Sequence, residues 1–271
     1  MLKNFAFAAA LIGATLVSPL AAQEPPTQQE QAAVALALQR GEALYRYDQA
    51  AWHSTDAMFK DIDDPAKTGV AGWIINEVDS GLEVVFYGQG YSGHHALWSG
   101  IYDGKKVRSR TTYKAGERLL TASEVSQAEA RALPRGEVME RCSTKPFNTV
   151  VMPSGKDDGS LFVYYLVPQE QKDVVPFGGH YRYEVKDGKV IDSRKFTNSC
   201  ISLGNRGANG ETPTAIAISH SLDRTPTEIH VFSMYALNTS VVVMMTETDR
   251  SWMIRSTKDG PEMGTIALSS R

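Results

Sequence analysis

The chain has few cysteines and little long apolar sequence. It contains two cysteines in 271 residues, and its one extended apolar run, from Phe5 to Val17, lies at the very start. A membrane-spanning helix needs about 20 apolar residues, so this run is too short to be one. It follows the basic Lys3 and ends in small residues, which is typical of a secretory signal peptide. We therefore predict a signal peptide over residues 1–22, no transmembrane segment in the mature chain, and a location in the periplasm or outside the cell.

The sequence also lacks an excess of positive charge. It holds 28 Lys and Arg against 31 Asp and Glu, and removal of the signal peptide takes away only one of these, Lys3. A surface with this balance has no general attraction for phosphate backbones, so nucleic acid is not expected as a partner. A small molecule or another component of the cell envelope is the expected type of ligand.

The two cysteines are Cys142 and Cys200. An even number of thiols in an oxidising compartment usually forms disulfides, provided that the Cα atoms come within about 7 Å. We therefore predict a disulfide between them, and the alternative is a pair of separate buried thiols. A disulfide that closes a loop of this length is worth about 4 kcal/mol in the chain-entropy model.

Two helices are predicted. Residues 23–30 are polar and rich in proline, which favours a flexible lead-in. From Gln31 to His53 polar side chains recur at helical spacing, which predicts an amphipathic helix. Its apolar side is expected to hold Val34, Leu38, Tyr45 and Trp52. Further on, Thr121 and Glu124 form a capping-box pattern, which predicts a short central helix from residue 122 to about 133.

Much of the remaining chain shows short apolar segments separated by tight-turn residues. Pairs of such segments flank Asp79-Ser80-Gly81 and Asp103-Gly104, which predicts a four-stranded meander over residues 72–113. Further strands are predicted over residues 147–152, 161–167, 180–196 (a hairpin), 214–220, 228–237, 240–246 and 251–255. Tight turns favour antiparallel pairing. The predicted fold class is α+β, mainly antiparallel, with about a dozen strands in a single domain over residues 31–271.

One pattern hints at an internal repeat. Residues 103–110 and 187–194 agree at six of eight positions if one Val–Ile pair is counted. Two related halves, 31–135 and 138–271, would explain the similarity. The other explanation is that exposed antiparallel hairpins often use the same Asp-Gly-Lys turn chemistry.

No catalytic motif of high specificity is present, and no cofactor is expected. The segment Gly88 to Gly93 begins like the nucleophile turn of a hydrolase, but His94 occupies the position where Gly-x-Ser-x-Gly requires its last glycine. The sequence therefore leaves the identity of any catalytic residue unknown.

The densest group of functional residue types is His220, Glu228 and His230. If residues 221–227 form the loop between two strands, His220 lies opposite Glu228, and Glu228 shares a face with His230 because strand side chains alternate. Two imidazoles and one carboxylate are a known ligand set of catalytic zinc. The alternative is a buried Glu–His pair in the core. In both cases we expect the carboxylate to bond with an imidazole, because an unpaired buried carboxylate is costly.

Two hypotheses about function remain open. The leading one is a non-enzymatic exported domain that binds a small molecule or an envelope component. The second is a metal-dependent hydrolase with its site between His220 and His230. The two are distinguished by whether these side chains converge in a cleft or are sealed in the core.

Overall fold

The computed structural model describes residues 25–91, 93–136, 139–206 and 210–267. The predicted signal peptide and the first two residues of the predicted lead-in lie outside the described residues. The helices are α1 (Gln28–Asp61), α2 (Pro65–Thr68), α3 (Ala122–Ala132) and α4 (Glu228–Leu237), and a 3-10 turn covers Leu133–Gly136. The strands are β1 (Val70–Val78), β2 (Gly81–Gly90), β3 (Gly93–Tyr102), β4 (Val107–Thr112), β5 (Asn148–Pro153), β6 (Leu161–Leu166), β7 (Val174–Pro176), β8 (Tyr181–Lys186), β9 (Lys189–Lys195), β10 (Ser202–Gly204), β11 (Ala215–His220), β12 (Ser240–Met245), β13 (Arg250–Thr257) and β14 (Gly260–Ile266). The predicted α+β class is confirmed.

Helix α1 begins at Gln28, inside the stretch predicted as lead-in. A capping box determines this start: the Thr27 N–H donates to Glu30 Oε2 at 2.9 Å, and the Glu30 N–H donates to Thr27 Oγ1 at 3.2 Å. Glu30 is also buried and accepts from Arg250 Nη1 at 2.8 Å. The first turn of the helix is therefore held by a capping box and by an ion pair to β13.

The predicted apolar side of α1 is buried over only part of its length. At about 100° per residue, Val34, Gly41 and Trp52 share one side of the helix. Val34 and Gly41 are buried, while Trp52 is 56% exposed. A Cβ atom at Gly41 would lie 2.5 Å from Cβ of Val231. Helices α1 and α4 cross at this glycine, and a larger residue would force them apart.

The first two four-stranded sheets follow the predicted hairpins. The meander β1-β2-β3-β4 forms one sheet, and β5-β6-β8-β9 forms the second, both antiparallel. Between them, the capping box of Thr121 and Glu124 starts α3 where it was predicted. β7 and β10 form a separate two-stranded ribbon.

The third four-stranded sheet has the order β11-β12-β13-β14, and one sequence prediction within it is wrong. Residues 228–237 were predicted to form a strand, but they form α4, which connects β11 to the parallel β12. The β-branched and aromatic residues of this segment favour a strand locally. Tertiary packing overrides that preference, because the helix is buried on nearly all sides between two sheets. β14 was not predicted, since its glycines and proline are poor strand formers.

The elements stack in layers with α1 and α4 in the middle. One side of this helix layer packs on the inner faces of the first two sheets, and the other side packs on the third sheet. α3 covers the outer faces of the first two sheets where β1 and β5 lie next to each other. None of the described helices is long and apolar enough to cross a membrane.

The predicted disulfide between Cys142 and Cys200 is confirmed, with the two Cα atoms 5.4 Å apart. It joins the loop before β5 to the loop before β10. Gly179, which has a φ of 83°, makes room for it, because a Cβ atom there would lie 2.3 Å from Cys142 Sγ. This glycine is required both by its backbone conformation and by the close approach of the sulfur.

Candidate functional site

The three candidate residues surround the start of α4. His220 is the last residue of β11, and Glu228 and His230 lie in the first turn of the helix. All three are buried, with at most 4% of each residue exposed. The prediction of a hairpin is wrong, because the chain after His220 continues into α4, the helix that connects β11 to the parallel β12. The structure brings the two imidazoles together, with ring centroids 4.7 Å apart and planes nearly perpendicular.

Glu228 pairs with an arginine and not with a histidine. Its Oε1 lies 2.5 Å from Arg182 Nη1 and accepts a hydrogen bond from the Tyr164 hydroxyl at 3.2 Å. The prediction that Glu228 bonds with an imidazole is therefore wrong. On a helix, residues two apart point to nearly opposite sides, whereas on a strand they share a face. Glu228 is thus directed at the second sheet and His230 at His220.

The second sheet places both partners of Glu228 next to each other. Tyr164 on β6 lies directly opposite Arg182 on β8, and Arg182 lies directly opposite Arg194 on β9. The Arg182 guanidinium also lies over the Phe162 ring, 4.4 Å from its centroid. Burial raises the pKa of Tyr164, so its hydroxyl remains a donor at neutral pH. This row of side chains fastens the sheet to the start of α4.

A second ion pair continues the cluster towards solvent. Asp223 accepts from His220 Nε2 at 2.7 Å and from Arg194 Nη2 at 2.6 Å. Burial alone would raise the pKa of Asp223, but the bonds to His220 and Arg194 outweigh it and lower the pKa. Sequence reasoning missed both residues. The position of Asp223 three residues after His220 was a usable signal, whereas nothing local pointed to Arg194.

Two buried histidines, His180 and His230, are held neutral. His230 Nδ1 accepts from the Thr227 N–H at 3.0 Å, and burial, together with the nearby charge of His220 and Arg194, lowers the pKa of His230 to about 3. His180 Nδ1 accepts from the Val167 N–H at 3.1 Å, and burial lowers the pKa of His180 to about 4. These rings act as neutral hydrogen-bond partners of the backbone.

The donor set does not gather around a cation. Across the described ranges, no group of three or more His, Cys, Asp and Glu side chains is placed to hold a metal ion. His220 Nε2 faces Asp223, and His230 Nδ1 faces a backbone N–H, so these two nitrogens are already occupied. The cluster is suited to holding the helix layer on the second sheet.

Two cavities open elsewhere on the molecule. A groove of about 500 Å³ lies between α1 and the last two strands; it is lined by Leu38, Met253, Arg255, Pro261, Glu262, Met263, Gly264, Thr265 and Ile266. A polar pocket of about 450 Å³ lies beside the disulfide; it is lined by Glu140, Arg141, Cys142, Gly179, Tyr181, Lys195, Asn198, Ser199 and Cys200. Neither contains any residue of the segment 220–230.

A surface on α1 is the second candidate site. Trp52 and Phe59 are 56% and 57% exposed, and their separation of seven residues places them on the same side of the helix. Asp48 precedes Trp52 by one turn, and Asp56 follows it by one turn. We call these four residues the acid–aromatic ridge. Asp48 is partly buried, and its burial raises the pKa of this carboxyl to about 6.

Comparison of the chain with protein-family models, curated proteins and solved structures gives no match.

Proposed function

We propose that this protein is a non-enzymatic exported domain that binds another protein of the cell envelope through the acid–aromatic ridge of α1. Two features support a location in the periplasm or outside the cell. Residues 1–22 have the pattern of a signal peptide. The bond between Cys142 and Cys200 is of a kind that persists in oxidising compartments.

The exposure of Trp52 and Phe59 is the observation that carries this proposal. Large aromatic side chains grouped on a surface are a feature of protein interaction sites, and Trp is enriched among residues that dominate binding energy. Because Asp48 and Asp56 lie between and beside the two rings, the complementary surface is an apolar groove bordered by Lys or Arg side chains.

The metal-dependent hydrolase has less support. Its residues, His220, Glu228 and His230, are sealed in the core, and each has a partner within the chain. A hydrolase also needs a cleft for its substrate. Both described cavities lie away from this segment.

Site-specific photo-crosslinking tests the proposal. A photoreactive amino acid at Phe59 in the exported protein is expected to give a discrete adduct with another envelope protein, and the additional substitution Trp52→Ala is expected to reduce it. Leu36 is the matched control, because it is also exposed on α1 but lies about 160° around the helix from Trp52. Equal adducts from both positions, or none from Phe59, would contradict the proposal.

A further inference from the structure

Strand β14 has a free edge with a defined hydrogen-bonding pattern. On one side it pairs with β13, and the sheet order ends with β14 on the other side as far as the described chain shows. Pro261 lies opposite Ser256, and because proline has no N–H, this pair is not a hydrogen-bonded one. Alternation along an antiparallel ladder then directs the N–H and C=O groups of Met263 and Thr265 outward, away from β13.

Two other edge strands, β4 and β9, carry features that block pairing. β4 bears Arg108 and Arg110, and its pairing with β3 is interrupted by an irregularity. β9 carries four charged side chains, Lys189, Asp192, Arg194 and Lys195. Charges and bulges of this kind prevent another strand from adding to an edge. In β14 the stretch from Met263 to Ile266 has no charge and no irregularity in its register.

The same stretch is complementary to a second copy of itself. An antiparallel pair with its two-fold axis at Gly264 would place Met263 opposite Thr265 of the second copy, in a hydrogen-bonded pair. The two symmetric pairs make four backbone hydrogen bonds. Glu262 then lies opposite Ile266 of the second copy, so no like charges meet across the axis, and the two glycines face each other without side chains.

The neighbouring groove accommodates the added strand. The side chains of Met263 and Thr265 share a face with Ile254 and Trp252, their partners on β13, which belong to the core shared with the helix layer. The incoming Met and Thr side chains would point to this same side. The groove of about 500 Å³, with Leu38 of α1 in its lining, lies there.

We infer that two copies of this chain associate through antiparallel pairing of their β14 strands. The four-stranded sheet β11-β12-β13-β14 of each copy then becomes half of one eight-stranded sheet. This interface lies at a different place from the acid–aromatic ridge and is independent of what the ridge binds.

Disulfide trapping of the full exported chain tests the inference. In a non-hydrogen-bonded antiparallel pair the two Cα atoms are about 4.5 Å apart, which is within the range of a disulfide. Gly264→Cys is therefore expected to give a covalent dimer on mild oxidation, while the native disulfide remains closed. Ala217→Cys is the matched control, since Ala217 is exposed on β11, the opposite edge of the same sheet. Failure of Gly264→Cys to crosslink, or crosslinking no faster than Ala217→Cys, would overturn the inference.

Sedimentation of the unmodified protein provides the second measurement. A reversible, concentration-dependent dimer is expected. Thr265→Pro removes an N–H that points away from β13 and so leaves the fold intact, but it deletes two of the four intermolecular bonds. The loss of two bonds should raise the dimer dissociation constant about 30-fold. A wild-type chain that stays monomeric up to its solubility limit, or a folded Thr265→Pro variant with unchanged dimerisation, would refute the proposed interface.

Discussion

The buried ion pair between Glu228 and Arg182 allows the sharpest test of the candidate site. The two side chains are 5% and 9% exposed, and their N–O distance is 2.5 Å. Glu228→Gln keeps the size of the side chain and an acceptor for Tyr164, but it leaves the Arg182 guanidinium buried without a counter-charge. Breaking a buried pair in this way typically costs about 3 to 5 kcal/mol. We therefore expect a loss of that size in the free energy of unfolding, measured by urea denaturation.

A double variant separates charge from packing. Arg182→Met in the Glu228→Gln background removes the uncompensated charge, so it should restore part of the lost stability. Glu184→Gln is the control, because Glu184 lies on β8, the strand of Arg182, and is equally buried, whereas its partner Lys156 is half exposed. Since Lys156 keeps contact with water when the carboxylate is removed, that substitution should cost less than Glu228→Gln. A loss below about 1 kcal/mol for Glu228→Gln, or strict additivity in the double variant, would refute the reasoning. A zinc-dependent melt of the wild type alone would instead favour the hydrolase.

Three further outcomes are expected. The folded-state pKa values of His180 and His230 lie below the unfolded value of about 6.5. Each histidine should therefore reduce the free energy of unfolding by up to about 1.4 kcal/mol per pH unit as the pH falls from 6.5 towards 4. Urea titrations across this range measure this pH dependence, and His230→Asn should make it weaker. The folded-state pKa of Asp48 is raised, so its contribution to stability falls as the pH rises from about 4 to 6. Asp48→Asn should therefore stabilise the fold at pH 7 by about 1 kcal/mol, after allowance for solvent screening of a partly exposed group, yet weaken crosslinking from Phe59; a variant that changes neither would argue against the ridge. Mass spectrometry of unreduced, alkylated protein should show no alkyl group on Cys142 or Cys200, and two added groups would mean that the bond is absent in solution.

Short sequence patterns were sufficient to predict the elements whose turns and caps lie within a few residues of each other. The turn at Asp79-Ser80-Gly81 and the capping box of Thr121 and Glu124 each lie within a few residues, so the first meander and α3 were predicted close to their true positions. The disulfide also followed from simple counting, because the chain has two cysteines and the compartment predicted for it is oxidising. The α+β class is the sum of such short-range signals.

Packing between distant segments decided the rest. Residues 228–237 are strand formers by composition, and only their burial between two sheets makes them a helix. That one change moved Glu228 from its expected imidazole partners to Arg182, 46 residues earlier in the chain. Likewise, Trp52 lies on the same side of α1 as the buried Val34, and the placement of the neighbouring elements leaves it exposed. These contacts cannot be predicted from the periodicity of a single segment, because each depends on which other segment the fold places beside it.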